Sequence, residues 1–481
     1  MAKTINIRSA TPANIKTAII FSNEDESKNA DLRGGLIRLQ YYESILQDTV
    51  RATLIYSDSG DTIKKGEKRV SAVEGLPIVG QEKLELIFED NNENEISFTE
   101  KDNNALYVNK ITPIIDDSTR SLVMLDLVSK EYILNEKIRL NTRFDGSISE
   151  HVKGILTDME FGKDGKKVQK NYLNTKKDVD VEETVGEYNF CGNNKKPFYT
   201  INWLSKKAVP NKANPKALGN SAGYFLWETS EGYQFKSIDW LMNKETNPKK
   251  KSIIYNDTPD GKDKLPQGYD IKALAAEKDN RIDIQKKLMM GAFSTRTIMF
   301  NPFNSYYEVI APNAYGVKLD SKTGKPVNPK GPKPKGDQRN LKLAGEKLPV
   351  LNKEFDMDKR EGGSSEGTTE TPKEFSRTQF MCIDSGTLVA DGSKDPKSWV
   401  KGTKAQLKKS QTQRDDSSDG AFEIKKILSQ SSMRYNQLFS TKISVTIAGD
   451  FSLHAGNSIF FDGPELTGDD KKDEIDQKDG G

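Results

Sequence analysis

The chain has 481 residues, with 73 Lys or Arg against 71 Asp or Glu and a formal charge of +2. That near-cancellation excludes the electrostatic footprint of a dedicated nucleic-acid binder. Apolar residues make up 34%, mean hydropathy is −0.71, and the length calls for about three domains with much polar surface.

No stretch approaches the roughly 18–20 apolar residues that cross a bilayer, and the first eight residues lack a signal-peptide core. No membrane anchor is expected, and the chain should be made and kept soluble in a cytoplasm. Cys191 and Cys382 are too few to build a metal cluster. In a reducing compartment they read as two small, semi-buried side chains.

The first 135 residues read as strands. Ile37, Leu39 and Tyr41 alternate with Arg38, Gln40 and Tyr42, and Val50, Ala52, Leu54 and Tyr56 alternate with Arg51, Thr53 and Ile55. Leu76–Gly80 leads into Leu84, Leu86 and Phe88 on one face, and 105–112 and 120–127 add two strand candidates. Short alternating strands with turns between them suggest an antiparallel barrel or sandwich.

The period then changes. Ser147 and Glu150 form a capping box, and Ile148, Val152, Ile155, Leu156 and Met159 share one face, which predicts a helix over 147–159. A second helix is expected over 200–208, and 162–187 between them reads as loop. Gly223–Leu241 reads as a hairpin. Tyr224, Leu226 and Glu228 lie on one face, Phe225, Trp227 and Thr229 on the other, with the turn at Ser230-Glu231-Gly232.

Residues 244–270 are polar. A helix is expected over 281–290, and strands over 293–300 and 306–310. Lys322–Gly336 is rich in lysine and proline and cannot build a ladder, so 320–372 is expected to be a flexible insertion. Strand character returns at 375–383, a helix is expected over 421–439, and strands over 443–447, 451–455 and 457–461. The domain reading is therefore 1–135, 136–290, 291–466 and a polar tail over 467–481.

Catalytic patterns are missing from the sequence. His151 falls on the capped helix and reads as a solvated or boundary residue; His454 falls in the last strand pair and reads as equally uninvolved. Gly331-Pro-Lys-Pro-Lys-Gly336 has prolines where a phosphate loop needs amides, and the lysine tract around it has no aromatics for base stacking. The carboxylates are scattered and read mainly as solvated faces. No catalytic, cofactor-binding or metal-ligating residue is assigned, and the chain is read as a non-enzyme.

Several segments, in order, resemble the central baseplate hub subunit of contractile-tailed phages, especially of cyanophage-like myophages. They are 76–82 with Leu84, Leu86 and Phe88; 147–156; 197–204; 222–229 with 235–239; 291–296; 433–439; and 448–456. The resemblance covers about two-thirds of the chain and rests on order, because no single motif is specific. It implies a mainly β fold with α+β parts, in which two tube-like antiparallel β-barrel domains flank α/β elements. A homotrimer would then form a pseudo-sixfold ring.

The implied role is structural: a hub in the virion tail baseplate, assembled in the host cytoplasm, that adapts the hexameric tail tube to the trimeric spike. Implied partners are the tail tube or tube-initiator protein, the spike protein and the baseplate wedge proteins. Sequence-specific nucleic-acid binding is not expected, although DNA could pass through the lumen. The alternatives are a type VI secretion spike-like subunit, a receptor-binding tail subunit, or a tail-borne cell-wall hydrolase. Triangular β-helix repeats, a tip domain and a catalytic constellation, the respective signatures, are not evident in the sequence. The family pattern continues into a further strand pair, whereas this sequence closes on a polar run ending Gly480-Gly481; those strands are expected to be lost, to be replaced by a partner or, the preferred reading, to lie beyond this sequence.

Overall fold

A computed structural model describes residues 13–255 with short breaks at 66, 118–119, 158, 162–166, 170–171, 186–187 and 212–221. It further describes 265–310 with breaks at 266, 280–283, 291–294 and 302–305, then 342–343, 346–347, 377–382, scattered positions over 428–438, and 442–463. The expected insertion over 320–372, apart from two short strands, and the tail over 467–481 lie outside the described residues.

Ten strands occupy the first part of the chain: β1 (Asn14–Phe21), β2 (Asn29–Asp31), β3 (Leu36–Tyr42), β4 (Arg51–Asp58), β5 (Ile63–Lys65), β6 (Lys68–Val70), β7 (Lys83–Glu89), β8 (Glu95–Phe98), β9 (Leu106–Asp116) and β10 (Ser121–Ser129). Eight of them form one half-barrel sheet in the order β2-β1-β7-β9-β10-β4-β3, with β8 also on β7. Every pairing in it is antiparallel. The core comes from one face of each strand, including Ala52, Leu54 and Tyr56 of β4, Leu84, Leu86 and Phe88 of β7, and Val123, Leu125 and Leu127 of β10. The alternation expected for β4 and β7 is therefore found.

Two expectations need correction here. In β3 a bulge between Leu36 and Arg38 shifts the phase. Leu39 and Tyr41 pack on the core, but Ile37 points out and is 60% exposed. Residues 76–80 are not a strand; they leave a one-turn helix α1 (Ala72–Gly75) and turn at Gly80, whose φ is +114°. The sheet also contains β1, β2 and β8, which were not among the expected strands.

The middle of the chain is mixed. It contains α2 (Lys130–Lys137), β11 (Arg143–Phe144), α3 (Ile148–Thr157), β12 (Met159–Phe161), β13 (Lys167–Gln169), β14 (Val179–Val181), β15 (Phe190–Cys191) and α4 (Pro197–Ser205). The hairpin follows as β16 (Tyr224–Thr229) and β17 (Gly232–Ser237), with α5 (Ile238–Met242) directly behind it. The capping box of α3 is made: Ser147 N–H donates to Glu150 at 2.8 Å, and Glu150 N–H donates to the Ser147 hydroxyl at 3.3 Å. Helix α4 begins at Pro197, earlier than expected, because proline suits the first turn where no amide is needed. The segment 162–187 is not all loop, since β14 pairs in parallel with β17.

Both faces of the hairpin are buried, as its aromatic spelling requires. Tyr224, Leu226, Tyr233 and Phe235 join the core formed with α3 and α4. Phe225 and Trp227 pack on the other side with Ile238, Leu241, Tyr435 and Leu438.

The remaining elements are β18 (Lys251–Ile254), β19 (Ile271–Asp279), α6 (Ile284–Met290), β20 (Thr295–Asn301), β21 (Tyr306–Ile310), β22 (Lys342–Leu343), β23 (Glu346–Lys347), β24 (Arg377–Cys382), β25 (Lys442–Ile447) and β26 (Ile459–Asp462). They form a four-stranded sheet β25-β19-β18-β26, a three-stranded sheet β21-β20-β24 and the pair β22-β23. Strands β18 and β19 were not anticipated in their polar surroundings. The described positions of the expected 421–439 helix, Leu428, Ser431, Ser432, Arg434, Tyr435, Asn436 and Leu438, are helical. Residues 451–455 form a turn-rich loop, not a strand: the amides of Phe451, Ser452, His454 and Ala455 donate to side chains and that of Leu453 to the Asp450 carbonyl.

Candidate functional site

The richest convergence of polar chemistry lies where the first sheet, the hairpin and residues 450–457 meet. Glu43, just beyond β3, is its centre. Its Oε1 accepts from the Tyr41 hydroxyl at 2.6 Å and from the Ser230 amide at 2.9 Å, and its Oε2 accepts from the Ala455 amide at 2.9 Å. His454 Nδ1 lies 3.2 Å from the same Oε1 and 3.5 Å from the Ser230 hydroxyl, and His454 Nε2 lies 3.6 Å from Glu231. Three stretches far apart in sequence thus close on one carboxylate.

The electrostatics follow from this geometry. Burial alone would raise the Glu43 pKa, but hydrogen bonds from His454, Tyr41, Ala455 and Ser230 outweigh it and hold the carboxyl below its ordinary value. Burial likewise opposes a charged His454, yet the hydrogen bond to Glu43 and the charges of Glu43 and Glu231 raise its pKa. Burial, with the Glu43 charge beside it, pushes the Tyr41 hydroxyl far up, so it stays a neutral donor.

The same segment is tied down along its length. Asp90 accepts from the Phe451 amide at 2.8 Å, Lys251 meets Asp450 at 3.3 Å, Trp227 Nε1 donates to the Ala455 carbonyl at 2.9 Å, and Asn247 donates to the Gly456 carbonyl at 2.7 Å. Beneath it runs an apolar groove of about 740 Å³ lined by Ile15, Leu39, Tyr41, Phe88, Ile96 and Phe451, among others. Phe451 meets Phe88 edge-on at 5.0 Å. The groove opens beside β3, which pairs only with β4 among the described strands.

A second buried cluster sits behind the hairpin. The Lys177 ammonium lies between Glu131, at 2.9 Å, and Glu228. Glu228 also accepts from the Val50 amide at 3.0 Å and the Tyr233 hydroxyl at 3.3 Å, and Glu131 accepts from Thr175 at 2.7 Å. Complete burial raises the Glu228 pKa, whereas the two carboxylates keep Lys177 charged despite its own burial. A third tie runs from Arg434 to Asp239 and to the Ala222 carbonyl, with the Tyr435 hydroxyl donating to the Tyr224 carbonyl.

These placements revise the reading of individual residues. His151 is not solvated: it is buried between Phe144 and Phe190, with Nε2 2.8 Å from the Tyr188 carbonyl, and burial lowers its pKa. His454 belongs to an ionic cluster in a turn, not to a strand. Cys191 is exposed rather than semi-buried, and Cys382 lies where side chains are outside the description. The carboxylates Glu43, Glu131 and Glu228 escaped the sequence reading, yet Glu228 had a signal, since it shares the inward phase of Tyr224 and Leu226. The clusters are built to bind segments of the chain together. Among the described residues no group of His, Cys, Asp or Glu is arranged to hold a metal ion.

No family model matches the chain, and no curated protein is similar to it. Among solved structures it is similar to a tail protein from Neisseria meningitidis, at 7% identity and a TM-score of 0.34, over 61% of this chain and 66% of that one. It is also similar to an Escherichia coli component of the type VI secretion system, described as structurally similar to T4 bacteriophage tail proteins gp27 and gp5. That match has 8% identity and a TM-score of 0.27, over 58% of this chain and 56% of that one. The chain thus spans less than two-thirds of the length of either structure.

Proposed function

We propose that this chain is a structural subunit of a contractile phage tail: the central baseplate hub, acting as a trimer that joins the hexameric tail tube to the trimeric spike. The observation that carries the reading is the all-antiparallel half-barrel, whose edge strand β3 pairs only with β4 among the described strands. Half-barrels with open edges are suited to assembly, because an unpaired strand is satisfied by a neighbour. The ordered resemblance of segments from 76–88 to 448–456 supports the same assignment. Residues 1–135 then constitute one tube-like domain, 136–290 an α+β region, and 291–466 a second tube-like domain with an insertion at 320–372.

In this reading the partners are two further copies of the chain, the tube or tube-initiator protein, the spike and the wedge proteins, and the location is the virion baseplate. The buried clusters around Glu43 and Glu228 fix the half-barrel to the hairpin, so that load passes through the subunit as a unit. Cryo-electron microscopy of intact virions tests the assignment. Three copies on the tail axis between tube and spike are expected; six copies, or a peripheral position, overturn it.

A further inference from the structure

Both ring nitrogens of His454 face carboxylates, Nδ1 toward Glu43 at 3.2 Å and Nε2 toward Glu231 at 3.6 Å. A neutral imidazole has one N–H and one lone pair, so one nitrogen would then present its lone pair to a negative oxygen. Only the imidazolium suits both contacts. The side chain keeps 11% of its surface exposed, so protons reach it from solvent.

We propose that Glu43 and His454 form a pH-sensitive latch: ionised together they hold residues 450–457 across the apolar groove, and discharge of His454 loosens that segment from the first sheet.

Several charged groups bear on the latch. Glu43 and Glu231 favour the imidazolium, and Lys250 opposes it. On the segment itself, Asp450 is paired with Lys251 and Phe451 N–H with Asp90. Those flanking ties do not depend on His454, so its discharge frees the 454–455 end first. Tyr41, held neutral, stays a donor to Glu43 throughout.

The sign follows from linkage. The raised pKa of His454 makes its contribution full below the ordinary histidine value of 6.5, and that contribution is lost as pH rises through the raised value. Glu43, held below 4.5, contributes above its ordinary value and loses its contribution as pH falls through the lowered one. The latch is therefore closed between those limits and opens on both sides. Opening at the 454–455 end loosens the wall that Leu453, His454 and Ala455 give the groove, beside the edge of β3 that no described strand pairs.

The chain has only two histidines, so a full-length protein labelled with ¹³C-histidine gives two titrations that can be followed directly. One should lie above 6.5 and vanish in His454→Gln, and the other should lie below it. Amide exchange of residues 454–457, corrected for its intrinsic pH dependence, should lose protection across the upper titration. His454→Gln should remove that step. Glu231→Gln, on the exposed side, should lower the upper midpoint. A wild-type protection profile flat from pH 6 to 9, a midpoint at or below 6.5, or an unchanged step in His454→Gln overturns the proposal. The wild-type titration decides by itself if the variants fail to fold.

Discussion

The indole nitrogen of Trp227 donates to the backbone carbonyl of Ala455 at 2.9 Å, joining positions 228 residues apart in the chain. A Cβ on Gly456, at φ +91°, would come within 2.6 Å of the same ring. Trp227 is thus both an anchor and a gauge of how closely the late segment approaches the hairpin. Trp227→Phe keeps an aromatic ring and leaves the carbonyl without this donor, which should cost about 1 kcal/mol. Gly456→Ala should cost more, through both strain and collision. Urea unfolding followed by circular dichroism measures the two, and the reverse ranking would refute the gauge.

The ion triad behind the hairpin predicts a larger effect. Lys177→Met leaves Glu131 and Glu228 buried side by side without a cation, at a cost of about 3–5 kcal/mol. Adding Glu228→Gln should recover part of that loss, since one of the stranded charges is gone. Equal stability of the single and double variants would show that the carboxylates do not repel each other.

His151 sets a pH dependence opposite in sense to that of His454. Its folded pKa is lowered by burial, so the unfolded chain takes up the proton first, and stability falls as pH drops below 6.5 toward the lowered value. His151→Gln should be less stable at pH 8 but should show a shallower decline between pH 6.5 and 5. An unchanged slope in equilibrium unfolding across that interval would exclude His151 as its source.

The close approach of β3 to β4 depends on Gly35. A Cβ there would lie 2.0 Å from the Ser57 carbonyl oxygen, which is backbone and cannot turn aside. Gly35→Ala should displace the start of β3 and raise amide exchange in Leu36–Leu39, while the opposite end of β4 stays protected. Unaltered exchange at Leu36–Leu39 would contradict this.

Much of this architecture was legible where one face of an element is buried. Strands β4 and β7, the capping box of α3 and the two faces of the hairpin all carry a clear period. Strand β3 misled because its bulge breaks alternation without any glycine or proline inside the strand to mark it. Strands β18 and β19 lay hidden in polar sequence, because their partners β26 and β25 arrive more than 160 residues later. The Glu43 cluster could not be read at all, since nothing local marks a carboxylate whose donors come from residues 230 and 455. Only Glu228, a charge on an inward phase, announced a buried partner.

The late arrival of residues 450–457 has a consequence for how the protein is made. At roughly 5–20 residues per second, a ribosome takes about 15–65 s to travel from the end of the first sheet to Ala455. For that interval the nascent half-barrel lacks the groove wall made by Phe451, Leu453, His454 and Ala455, and the Glu43 carboxylate lacks the Ala455 amide and the His454 imidazole. Synthesis therefore leaves the first sheet unfinished until residues 450–457 have emerged, and that surface cannot be sealed before then.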